Sequence, residues 1–187
     1  MVSVTLNCIQ SYTTRNKGHP KEIIVFMNSC TGDQVTLYKT LYIDALNTKL
    51  NEIYRTSEIK LTVVMVNTKN SERFFKSDNN GCSNVPPGTL ISSGVVSVDY
   101  DFFIVSQQSN KGCVVPNHYK VIYNTGKLEE GHLQELVHSQ CFNYSNWSGS
   151  IKVPAILQYA KKCAKFNAEV LGGLEASDVF SSKPFFI

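Results

Sequence analysis

The chain has 187 residues, 42% of them hydrophobic and 18% charged, which is the composition of a globular domain long enough to bury a core. A net charge of +3 excludes a strongly basic nucleic-acid binder, so any site for a polyanion has to arise by local clustering. No apolar run is long enough to span a membrane, and none sits behind basic residues as in a signal peptide.

Cys8, Cys30, Cys82, Cys113, Cys141 and Cys163 are scattered without metal-ligand spacing, which reads as reduced thiols in a cytoplasmic or nuclear protein. On that reading the sequons at Asn143 and Asn146 are chance matches. Val2, Val4, Leu6 and Cys8 alternate as in a strand, while Leu6, Ile9 and Thr13 also mark one side of a helix. A polar break follows from Asn16 to Pro20. Glu22 to Met27 reads as a buried strand, and the loop from Asn28 to Asp33 leaves its C-terminal end, where open α/β sheets place chemistry. Asp33 fits a carboxylate at a helix start, favoured by the dipole. Tyr38, Leu41, Tyr42, Ala45, Leu46, Leu50, Ile53 and Tyr54 then give the longest helix, from Gln34 to Arg55.

Ile59 to Val66 is a β-branched strand, followed by polar Thr68 to Arg73 with Phe74 and Phe75 anchoring its far end. Ser77 to Pro87 carries turn chemistry. Thr89 to Val98 and Asp101 to Ser106 read as strands joined tightly at Asp99-Tyr100. Gln107 to Lys111 is a polar loop, and His118 to Tyr123 is a further strand. Leu133, Leu136, Val137, Cys141 and Tyr144 define a helix. Pro154 sits where another can begin. In that last helix Ile156, Tyr159, Ala160, Cys163, Phe166 and Val170 make one face; Gln158, Lys161, Lys162, Lys165 and Glu169 make a solvated face that can also meet phosphates. Gly172-Gly173 stops it, and the apolar tail Phe185-Phe186-Ile187 is expected to dock on the domain or on a neighbour. Helices around several consecutive strands give an α/β class with a mixed sheet flanked by helices.

Several stretches, in order, resemble the C-terminal part of the PIWI domain of Piwi-clade Argonaute proteins. They are Glu22-Ile-Ile-Val-Phe, Leu61 to Val66 with Arg73-Phe-Phe, Pro87-Gly-Thr, Tyr100-Asp-Phe-Phe-Ile-Val-Ser-Gln, Pro116-Asn-His-Tyr-Lys-Val-Ile-Tyr, Tyr144-Ser-Asn-Trp-Ser-Gly, and Val153-Pro-Ala with Gln158-Tyr-Ala. The likeness covers residues 1–187 and is strongest over 20–187. It implies an RNase H-like fold, here without its leading strands and without MID, PAZ and N domains. It also implies a guide RNA held by its backbone and, in some members, Mg²⁺-dependent cleavage of a paired target.

Two-metal hydrolysis needs converging carboxylates, because they neutralise the cations around the phosphorane. The family site uses two aspartates, a glutamate and a His or Asp. The first aspartate and the glutamate would precede this chain. The second aspartate position holds Asn28, and the fourth holds Lys161, whose ammonium repels a cation. The expectation is therefore a chain that does not cut and takes no cofactor or metal. His118 matches the family's Pro-x-His-Tyr strand and is read as structural. What remains is backbone binding of single-stranded small RNA and of paired target RNA. The resemblance points to Lys69, Arg73, Gln107, Lys111, Lys152, Lys161 and Lys162 as contacts. The alternatives are a protein-interaction module joining partners of Piwi-type silencing complexes, or a non-functional truncated PIWI fragment.

Overall fold

The computed structural model describes residues 2–29, 33–54, 59–79, 81–97, 100–109, 111–174 and 184–187. Its strands form a mixed five-stranded sheet in the order β1-β2-β7-β6-β5, plus a separate hairpin. The chain divides into two compact units, one of Met1–Asn67, Ser92–Phe102 and His118–Glu130, the other of Thr68–Ile91, Phe103–Asn117 and Gly131–Ile187.

In the first unit the N-terminal ambiguity resolves as helix α1 (Val2–Asn16). The alternation of Val2, Val4, Leu6 and Cys8 loses because a helix puts Val2, Leu6 and Ile9 against one core, leaving Val4 and Tyr12 exposed. Strand β1 (Glu22–Asn28) pairs in parallel with β2 (Lys60–Asn67), and β2 pairs antiparallel with β7 (Asn117–Asn124). The register of β2 on β7 shifts between Val63 and Val64, where Ile122 is the extra residue. Every residue of β2 from Leu61 to Val66 is buried. Leu61, Val63 and Met65 share one cluster with Ile9, Met27, Tyr42, Ile43, Leu46, Leu50 and Ile122. Burial of each such aliphatic side chain contributes about 1.5–3 kcal/mol relative to exposure.

The long helix is present but is not one α-helix. It runs as α2 (Asp33–Tyr38), a π-helical turn (Lys39–Asp44) and α3 (Ala45–Tyr54). The wider turn sends the neighbours Tyr42 and Ile43 both into the core and leaves Leu41 64% exposed. Tyr42 is tied to α1 by its hydroxyl, 3.0 Å from Thr5 Oγ1. Asp33 does open the helix; the loop before it, residues 30–32, lies outside the described residues.

In the second unit β5 (Thr89–Ile91) pairs antiparallel with β6 (Asp101–Val105), whose first residues belong to the first unit. The strand expected from Thr89 to Val98 is thus cut to three residues. Gly94 sits at φ +82°, and 98–99 lie outside the described residues. Conversely, the stretch read as turn alone holds a hairpin, β3 (Phe75–Asp78) and β4 (Gly81–Asn84). Helix α4 (Glu130–Gln140) buries Leu133 and Val137, and the chain beyond it keeps Cys141 and Tyr144 buried.

Helix α5 (Ala155–Glu169) begins directly after Pro154. Its orientation differs from the expected one. Ala155 and Leu157 are buried, whereas Ile156 and Val170 are more than half exposed and Ala160 is exposed. Tyr159, Cys163 and Phe166 are half-buried as expected, but so are Lys161 and Lys162. The apolar tail does dock: the Phe185 ring meets Phe166 edge-on at 5.6 Å.

Candidate nucleic-acid interface

Lys152 lies on the segment that leads into α5, and side chains fix that segment on both sides. Its carbonyl accepts hydrogen bonds from Ser106 Oγ (2.8 Å) and from Asn117 Nδ2. Two residues earlier, Ser150 Oγ donates to the Ser106 carbonyl and Gln107 Nε2 donates to the Ser150 carbonyl, both at 2.6 Å. Ser106 and Asn117 are buried, so these bonds are made away from water and hold the backbone in one place. The ammonium of Lys152 donates to the Thr68 carbonyl at 3.1 Å. Lys152 also lines an open cavity of 240 Å³ with Ser106, Gln107, Gln108, Ser109 and Cys113.

The Lys152 ammonium titrates below the ordinary lysine value. Burial is the main cause, followed by the positive charges of Arg73 and Lys161. Arg73 and Lys161 thus both bear on Lys152, and no carboxylate is seen paired with these cations among the described residues. Arg73 instead donates to the carbonyls of Asn70 (3.1 Å) and Glu72 (2.6 Å). A cluster of like charges without a counter-charge is what an anion would relieve.

The sign of the pH effect follows. Between the lowered Lys152 value and the ordinary one, the unfolded chain holds the proton more tightly than the folded chain. The contribution of this group to stability therefore rises as pH increases through that window and is unfavourable below it. A titration of the Lys152 ammonium by nuclear magnetic resonance should give a midpoint below that of free lysine. Added inorganic phosphate should move the midpoint upward; an unmoved midpoint would remove the anion site.

The other expected contacts are placed differently. Gln107 serves the clamp just described. Lys162 holds its ammonium 5.5 Å from the centre of the Tyr144 ring, a cation–π contact. Lys69 and Lys111 are exposed. The clamp residues Ser106, Asn117 and Ser150 escaped sequence reasoning, although Asn117 stands inside the quoted Pro-Asn-His-Tyr stretch.

In the first unit Asn28 ends β1 with an exposed side chain. His118 is structural, as expected: its Nε2 lies 3.0 Å from Asp101 Oδ2, the oxygen that also accepts from Ser97 Oγ at 2.9 Å. Asp101 is buried, so the pair fastens β6 to β7 rather than facing a ligand. Among the described residues no three His, Cys, Asp or Glu side chains gather where they could hold a metal.

The family profile of the Piwi domain matches residues 2–171. The chain belongs to the Piwi family. It is 40% identical to Piwi-like protein 1 of Gallus gallus over 150 residues, covering 80% of this chain and 17% of that relative. It is 30% identical to Piwi-like protein Ago3 of Bombyx mori over 183 residues, covering 97% of this chain and 20% of the relative. Among solved structures, Drosophila Piwi superposes with a TM-score of 0.88 at 27% identity, covering 99% of this chain and 26% of that one. Kluyveromyces polysporus Argonaute with a guide RNA superposes with a TM-score of 0.82 at 22% identity, covering 99% and 26%. The Piwi-family chain described here thus spans about a fifth of the length of the curated relatives it matches. Its fold is the RNase H-like mixed sheet flanked by helices.

Proposed function

We propose that this Piwi-family chain binds the phosphate backbone of small RNA, single-stranded or paired with a target, in gene silencing, and does not cleave it. The reading is supported by the Lys152 ammonium, fixed in place by the Ser106 and Asn117 bonds to its backbone and lowered in its titration by burial and then by the positive charges of Arg73 and Lys161, with no carboxylate paired to it among the described residues. A backbone phosphate supplies the missing negative charge, and cations of this kind bind it irrespective of sequence. The guide RNA named with the Kluyveromyces polysporus Argonaute is consistent with that ligand class. Loss of cleavage rests on Asn28 and Lys161, which stand where the family's metal ligands are expected. Lys69, Gln107, Lys111 and Lys162 are proposed as secondary contacts. Thiols outside disulfides at Cys8, Cys82, Cys113 and Cys163 fit a cytoplasmic or nuclear setting.

The test is fluorescence anisotropy of labelled single-stranded RNA across a salt series. Neutralising three phosphates predicts a slope of log K against log salt of about −2. Binding should persist with a metal chelator, and Mg²⁺ should weaken it by competing for the phosphates. Incubation with guide, complementary target and Mg²⁺ should leave the target intact. A salt-independent signal would end the backbone reading, and target fragments above a protein-free blank would end the claim of inactivity.

A further inference from the structure

Residues 68–74 carry Arg73 but belong to no helix or strand, so bonds from side chains have to set their course. Asn70 supplies the long-range one: its Nδ2 donates to the Pro116 carbonyl at 2.9 Å. Arg73 then folds back on the same residue, with Nη1 donating to the Asn70 carbonyl at 3.1 Å and to the Glu72 carbonyl at 2.6 Å. At the start of the stretch the Thr68 carbonyl accepts from the Lys152 ammonium.

Pro116 and Asn117 are adjacent and both are buried. The ring of Pro116 fixes its φ, and Asn117 opens β7, so the dipeptide is a stiff reference point. Asn70 ties the Arg73 stretch to the first of these residues, and Asn117 ties the Lys152 carbonyl to the second. Two cation-bearing segments far apart in sequence are thereby set against one dipeptide. Asn70 itself is half-buried, whereas Arg73 is exposed and its charge still bears on Lys152.

We propose that Asn70 is a positioning residue of the phosphate site: pinned to Pro116 by its side chain, it presents the carbonyl that holds the Arg73 guanidinium where it acts with Lys152. The proposal rests on the reading of this cluster as a backbone-phosphate site, and adds a residue that serves the site without touching the ligand. A neutral amide suits the task. A carboxylate at position 70 would offer no N–H to the Pro116 carbonyl and would offset the charge that a phosphate meets. Without the pin, Arg73 keeps its charge but swings into solvent, where salt screens it from Lys152.

The test is a double-mutant cycle of Asn70→Ala and Arg73→Met, read on two scales. The first is the titration midpoint of the Lys152 ammonium by nuclear magnetic resonance, without RNA. In the unmodified chain Arg73→Met should raise the midpoint, because a neighbouring positive charge is lost. With Asn70→Ala the midpoint should already be raised, and Arg73→Met should raise it no further. The second scale is affinity for labelled single-stranded RNA at roughly 0.1 M salt. Asn70→Ala should weaken binding about fivefold and flatten the salt slope by about 0.7, and Arg73→Met should add nothing to it. A merely structural role would lower the melting temperature and leave both cycles additive. Asn70→Asp keeps the side-chain shape and removes the donor, so it takes the place of Asn70→Ala in the cycle if that variant does not fold. Midpoints that follow the cycle in a chain without RNA affinity would uphold the pin and end only the RNA reading. An equal midpoint shift from Arg73→Met in both backgrounds, or none in the unmodified chain, would overturn the positioning role whatever the RNA result.

Discussion

Replacing Arg73, Lys152 and Lys161 together with methionine is expected to weaken RNA binding about a hundredfold at roughly 0.1 M salt. Each phosphate neutralised on a single strand contributes a slope of about −0.7, which is about fivefold in affinity between 1 M and 0.1 M salt. Three such contacts multiply to about a hundredfold, and the salt slope should flatten by about 2 units. Lys165→Met is the matched control: this lysine is 71% exposed and lies 3.8 Å from Glu169, so its loss should change little. Stability provides a second readout. Lys152 is partly desolvated beside like charges, so Lys152→Met removes an unfavourable charge at neutral pH while losing the bond to the Thr68 carbonyl. The single variant should therefore bind about fivefold more weakly without melting earlier. Such a trade of stability for binding is expected of a site held ready for an anion. Equal affinity of the triple variant and the parent would end the assignment of this cluster as the interface.

Much of this arrangement was legible in the sequence. β1 and β2 announce themselves as apolar β-branched runs, and Pro154 marks the start of α5 because a missing N–H costs nothing in a first turn. The strip Tyr159, Cys163 and Phe166 was visible as well. The rotation of α5 was not. Ile156, Ala160 and Val170 are as apolar as Leu157, and a helical period alone cannot say which side meets a core. What decides is the buried entry Val153-Pro154-Ala155, which fixes the first turn and carries Leu157 inward. The same turn brings Lys161 and Lys162 to a half-buried position, where periodicity put them in open solvent. The π-helical turn was invisible for a similar reason: adjacent Tyr42 and Ile43 fit a helical face only approximately, and the core chose both. Cations at Arg73, Lys152 and Lys161 could be named from a family resemblance. Their convergence could not, because it depends on Ser106 and Asn117 holding the Lys152 backbone across long sequence separations. Polar residues of that kind look like loop punctuation until their partners are known.

Phe102→Ala should cost about 3–5 kcal/mol of folding stability, the range for removing a large aromatic from a packed core. Phe102 is 0% exposed, and its ring stacks on Tyr119 at 5.2 Å with an interplanar angle of 12°. Tyr119 is also 0% exposed, so little can move to fill the space left behind. Tyr100, whose ring lies 6.2 Å from Phe102, has a hydroxyl whose titration is pushed far up, mainly by burial. Phe102 and Tyr119, at least, are dry. Natural domains are stable by only about 5–15 kcal/mol, so a loss of this size should leave the variant near its unfolding midpoint or beyond it. Phe142→Ala is the contrast: that ring is 54% exposed, and its loss should stay within about 0.5 kcal/mol. Urea unfolding followed by far-ultraviolet circular dichroism measures both. The comparison also separates the roles within the stretch Tyr100-Asp-Phe-Phe. Asp101 fastens His118, and Phe102 packs on Tyr119, so the motif secures β6 to β7. A loss below about 1 kcal/mol for Phe102→Ala would contradict that packing role.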